Sequence, residues 1–154
     1  VTEPLDPVRI TRAAEDLLRP LAAAPPELRV PALQPRDTDY AAVFVDDAAN
    51  IARAGYARLW ASPPKALGKP GQTEVAALAA LAESLREDGH VSRELPFGYR
   101  RIAGQLRPGS VWIAFKLVVP GQTTGMAYDG LVWLGDHWAF FPKPWRVLDA
   151  ATAN

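Results

Sequence analysis

The chain has 154 residues, 17 Lys and Arg against 17 Asp and Glu, and an apolar share of 49 %; that fits one domain with one core and argues against global disorder. The zero charge balance lacks the basic excess expected of a nucleic-acid binder. With no Cys, disulfides, thiolate metal sites and thiol nucleophiles are excluded, and His90 and His137 are too few for a multi-histidine metal centre.

Proline organises residues 1–36, a stiff lead-in with one helix. Seven of the fifteen prolines lie there, and no Gly occurs before Gly55. Asp6 is placed to cap a helix whose first position is Pro7. Ile10, Ala14, Leu17, Leu18 and Leu21 recur at helical spacing, and Pro20 is expected to end the helix near Arg19. Ala22 to Pro35 then reads as an extended segment, with Leu28, Val30 and Leu33 dipping into the core.

Residues 37–108 read as mainly helical. Asp37 or Thr38 can cap a helix whose apolar stripe is Tyr40, Phe44, Ala48, Ile51, Ala52, Gly55, Tyr56 and Leu59. Asp46-Asp47 can split it in two, and Ser62-Pro63-Pro64 stops it. Thr73 can cap a further helix bearing Val75, Leu78, Leu81, Ala82 and Leu85, because alanine is dense here. A short strand over Glu74–Leu78 is the alternative. Val75 to Ala82, the longest such uncharged run, falls well short of the ~20 residues of a membrane helix. Gly98 to Leu106 can hold a short helix.

Residues 109–148 read as an antiparallel sheet, and 149–154 as a tail. Val111 to Val119 is β-branched and aromatic, apolar on both faces. Met126 to Leu134 and His137 to Phe141 flank Gly135-Asp136, a two-residue hairpin signal. That turn opposes Trp133 to Trp138 and Leu131 to Phe140. Pairing Val119 with Met126 would set Trp112 beside Trp133 and Lys116 beside Asp129. Gly130 would then lie between Phe115 and Phe141. The expected fold is α+β: helices of the N-terminal two-thirds packed on a C-terminal antiparallel sheet of three or more strands.

The row Trp112–Trp133–Trp138 is the most suggestive feature. It would serve as core beneath the helices, with Trp133 the most buried of the five Trp, or as a stacking platform for a flat ligand. Asp129 among apolar neighbours is the candidate acid or base, or else one half of a cross-strand pair with Lys116. His137 is the second candidate catalytic residue, though it follows a turn and has no acid that the sequence can assign to it. Arg93, Arg100, Arg101 and Arg107 form a basic cluster, and Asp37, Asp39, Asp46 and Asp47 an acidic one. Either could meet a charged partner or remain a solvated face. Gly121 to Gly125 lacks the Gly-Lys-Ser/Thr and the helix of a phosphate loop, and no Ser sits in a nucleophile elbow.

The stretch from Gly130 to Arg146 resembles the last hairpin of NTF2-like (SnoaL-type) domains, a strand, a Gly turn and a Trp-bearing strand. It also resembles small bacterial proteins ending in a similar Phe-Pro-Lys-Pro-Trp-Arg run. The NTF2-like resemblance implies a curved sheet around a helix, a conical pocket and often a dimer. It assigns no catalytic residue to this chain.

Two readings of function follow. One is a non-enzymatic binding domain, an accessory subunit or immunity-type protein, with Trp112, Trp133, Trp138, Arg100 and Arg101 as candidate contacts. The other is a small NTF2-like enzyme or ligand carrier with a helix–sheet pocket around Asp129. A flat apolar or charged patch favours the first, and a deep apolar pocket ending in a carboxylate the second. The expected partner is a protein or a second copy, with no nucleic acid, membrane span, metal or cofactor. Arg-over-Lys usage suggests a GC-rich bacterium. The protein is expected to be cytoplasmic, or exported with its signal peptide gone.

Overall fold

Alternating apolar residues on four strands create two greasy sheet faces, and each carries a layer of helices. A computed structural model of the chain describes residues 7–86, 95–96 and 98–152. The helices are α1 (Pro7–Ala23), α2 (Pro26–Arg29), α3 (Asp39–Val43), α4 (Asp46–Ala61), α5 (Gly98–Ile102) and α6 (Pro144–Thr152). The strands are β1 (Glu74–Leu81), β2 (Val111–Val118), β3 (Gly125–Trp133) and β4 (Trp138–Phe140). They form one antiparallel sheet in chain order. The architecture is the expected α+β, and no described helix is long and apolar enough to cross a membrane.

One face carries Ala80, Trp112, Val132 and Ala139. Tyr40, Phe44, Ala52 and Tyr56 of the α3–α4 region, Tyr99 and Ile102 of α5 and Leu148 of α6 close over it. The other carries Ala79, Ile113, Phe115, Leu117, Leu131, Trp138 and Phe140. Ala14, Leu18 and Ala22 of α1 cover it, with Val30, Leu33 and Leu67. The split at Asp46 and the stop at Ser62 occur as expected.

Four expectations are corrected. Residues 74–81 are a strand, not a helix, followed by a 3₁₀ turn over Ala82–Arg86. Alanine leaves so little side chain that α1 packs closely on this strand, and Thr11 Oγ1 accepts the Ala79 N–H at 3.2 Å. Pairing with β2 and burial of Ala79 and Ala80 override helix propensity. Pro20 lies within α1 without ending it; it sits exposed in the last turn, where water can satisfy the Asp16 carbonyl it cannot bond. Residues 22–35 are coiled into α2 and a 3₁₀ turn, Pro31–Leu33. Val30 and Leu33 are buried as expected, but Leu28 is 60 % exposed.

The fourth correction is the register of β2 on β3. The hairpin pairs Trp133 with Trp138 and Leu131 with Phe140, as the two-residue turn requires. On the other side, Lys116 pairs with Ala127 and Phe115 with Tyr128, while Ile113 pairs with Leu131 and Trp112 with Val132. Asp129 and Gly130 thus share the place opposite Ala114, a β-bulge. Gly130 has φ +87°, and a Cβ there would lie 2.0 Å from the Phe141 carbonyl oxygen. Only glycine fits, because backbone rather than aromatic rings crowds the site.

Candidate functional site

The bulge shifts the inward alternation of β3 by one residue. Below it, Ala127 and Asp129 share a face with Ala76, Leu78, Ala114 and Lys116 of the neighbouring strands. Above it, Val132 takes that face. The upper half of the face lies beneath Phe44 and Tyr99, around Trp112. The lower half is a groove of about 370 Å³, floored by small alanines, with Pro96 and Asp129 among its lining residues. Ala76, Lys116 and Ala127 are exposed, and Asp129 is half-buried.

Asp129 is fixed from behind. Its Oδ1 accepts the Tyr99 hydroxyl at 2.8 Å and the Lys143 backbone N–H at 3.0 Å. Burial, then the Asp129 charge, pushes the Tyr99 phenol well above its ordinary pKa, so it remains a donor. Tyr56 is raised for the same reasons and donates to the Pro142 carbonyl at 2.9 Å. The register faces Lys116 with Ala127, so the expected Lys116–Asp129 cross-strand pair is replaced by this tyrosine–amide cradle.

His137 does have an acid, one that sequence reasoning missed. Its Nε2 lies 2.8 Å and 3.0 Å from the two oxygens of Asp39, a buried carboxylate at the start of α3. Its Nδ1 meets Asp136. The bonds to Asp136 and Asp39 raise the His137 pKa against the effect of burial, and the imidazole lowers that of Asp136. The two carboxylates favour the protonated ring, and both ring nitrogens are engaged within the chain. It ties the hairpin tip to α3.

The three tryptophans do not form one row. Trp112 is fully buried on the α4–α5 side, edge-on to Phe44 and Tyr99, its Nε1 donating to Ser110 Oγ at 3.0 Å. Trp133 and Trp138 stand on the α1 side as a T-shaped pair with centroids 4.8 Å apart. Trp112, not Trp133, is the most buried, and Trp133 is half-buried. The bulge separates them: without it, alternation would carry Trp133 to the Asp129 face.

No protein-family model matches the chain, and neither a curated protein nor a solved structure does.

The charged clusters disperse. Arg100 is half-buried and Arg101 exposed on α5, and both make contacts within the chain. Arg107 donates to the Ala41 carbonyl, tying its loop to α3. Arg93 and His90 lie outside the described residues. Asp37 pairs with Arg53 at 3.1 Å, and Asp46 and Asp47 occupy the first turn of α4. Among the described residues, no group of three or more His, Cys, Asp or Glu could hold a metal.

Sequence reasoning also missed the cradle around Asp129. Tyr99 is thirty positions from its carboxylate, and nothing local marks the pairing. Gly130 following Asp129 in an apolar strand was the one available signal of a bulge.

Proposed function

We propose that this is a binding domain without catalytic activity, of the accessory-subunit or immunity-protein kind, whose contact surface is the alanine-floored groove. One observation carries the reading: a sheet whose faces are otherwise covered by helices carries a groove at the β1–β3 end lined by Ala76, Ala114 and Ala127. Small residues on a paired sheet, with Ala76 and Ala127 exposed and Ala114 half-buried, give a partner a preformed seat. His137 is committed to two carboxylates and Trp112 to the core, which removes them from the list of reactive or stacking groups.

A second reading has one observation in its favour. Asp129, a carboxylate, lines the groove, as a small NTF2-like enzyme or ligand carrier would need. Its groove is shallow, with Ala76 and Ala127 open to solvent, whereas a small-molecule site encloses most of its ligand.

The test is recovery of the protein from its native cells with bound material identified by native mass spectrometry. Ala76→Trp and Ala127→Trp fill the groove from exposed positions. Wild type is expected to retain a stoichiometric protein partner that both variants lose at unchanged melting temperature. Retention by both variants overturns the reading. A bound small molecule released by Asp129→Asn establishes the carrier instead.

A further inference from the structure

We propose that the groove takes an extended peptide segment of a protein partner, carrying a basic and an acidic residue two positions apart. This deepens the binding-domain reading and rests on it.

The occupant's size follows from the walls. A groove of about 370 Å³ could hold a small molecule, but small ligands are held by burying most of their surface. Here Ala76, Lys116 and Ala127 are exposed, so a small molecule would stay uncovered on its outer side. A segment of a larger protein brings its own cover.

The occupant's charges follow from the register. Lys116 is paired with Ala127, and Asp129 stands two residues beyond Ala127 on the same face. Diagonal neighbours of this kind are about 7–8 Å apart. Side chains on one side of an extended peptide repeat every ~6.6 Å. A Lys or Arg over Asp129 and an Asp or Glu over Lys116 therefore fit residues i and i+2 of one strand-like segment. The alanines beside these two charges, Ala76, Ala114 and Ala127, carry too little side chain to hold the segment's backbone off the sheet. Asp129 is held by Tyr99 and Lys143 before the partner arrives, so it loses little freedom on binding.

The probes are blocked pentapeptides: Lys-Thr-Glu-Thr-Phe, a neutral Gln-Thr-Gln-Thr-Phe, and the like-charged Lys-Thr-Lys-Thr-Phe and Glu-Thr-Glu-Thr-Phe. Each is titrated into ¹⁵N-labelled protein. The mixed-charge peptide is expected to move the amide signals of Ala76, Ala114 and Ala127 and to bind about tenfold tighter than the neutral one. In Lys116→Glu the preference is expected to pass to Lys-Thr-Lys-Thr-Phe. Equal binding of all four peptides overturns the proposed charge pairing. If none moves these signals while Ala127→Trp still strips the protein partner in native cells, the peptide proposal falls and the binding surface stands. Concentration-dependent doubling of mass that Ala127→Trp abolishes makes a second copy the occupant and also overturns it.

Discussion

The imidazole of His137 reaches a carboxylate 98 positions away, its Nε2 2.8 Å from Oδ2 of Asp39. Asp39 is 4 % exposed, and its Oδ2 also accepts the Arg36 backbone N–H at 2.7 Å. Asp136 on the other ring nitrogen pairs in turn with Arg36 at 3.6 Å. The ring donates to both carboxylates only while protonated. Because the folded-state pKa is raised, this stabilisation is complete below the ordinary value of 6.5 and is lost as pH climbs through the higher folded-state value. Calorimetry at stepped pH is therefore expected to show Tm falling above pH 6.5, with the fall much reduced in His137→Gln. A parallel fall in the variant would place the titration elsewhere.

Gly130→Val is expected to disrupt the bulge. A side chain at φ +87° costs about 1–3 kcal/mol in backbone strain, and overpacking adds about the same. Asp129→Asn keeps an oxygen acceptor for Tyr99 and Lys143, so its expected loss is about 1 kcal/mol. Urea melts of both variants check the contrast; equal midpoints would contradict it.

Trp112→Ala is expected to cost about 3–5 kcal/mol, and Trp133→Ala clearly less. Trp112 is sealed by Phe44, Tyr99 and Phe141, whereas Trp133 keeps a solvent-facing side. Chemical denaturation of the two variants gives the order directly, and a larger loss at Trp133 would contradict the assigned facing.

The legible parts of the sequence were those whose signals are local. Gly135-Asp136 set the β3–β4 register because a two-residue turn leaves no freedom. Asp46-Asp47 and Ser62-Pro63-Pro64 marked the ends of α4 locally, although Val45 rather than Asp46 is the N-cap and no side chain caps it. The loop from Val119 to Thr124 carries no such constraint, and the bulge that corrects its pairing depends on where Phe141 returns. Residues 74–81 misled because alanine's helical preference, worth at most ~1 kcal/mol per residue, yields to strand pairing and burial. Asp129 stood out as a lone carboxylate, but its tyrosine partner and the Asp39 acid of His137 are products of tertiary folding.

Arg29 offers a fourth test. Its side chain is buried, and its guanidinium donates to the carbonyls of Ala24 at 2.9 Å, Leu67 at 2.9 Å, Ala22 at 2.7 Å and Gln72 at 3.3 Å. Burial lowers its pKa from the ordinary value. Arg29→Met removes the charge but orphans several carbonyls, each costing about 1–3 kcal/mol. The expected loss is on the order of 3 kcal/mol or more. Faster proteolysis between Lys65 and Gln72 would show that the loop is released; unchanged cleavage would show that it is held otherwise.

That guanidinium also couples two distant parts of the chain. Two of its acceptors lie five and seven positions behind it, and two lie 38 and 43 positions ahead. A charge cannot enter the interior with half its acceptors missing. The corner after α1 and the loop that leads into β1 therefore share one buried charge and stabilise each other. The lead-in is thus fastened by a loop that the chain reaches only after α4.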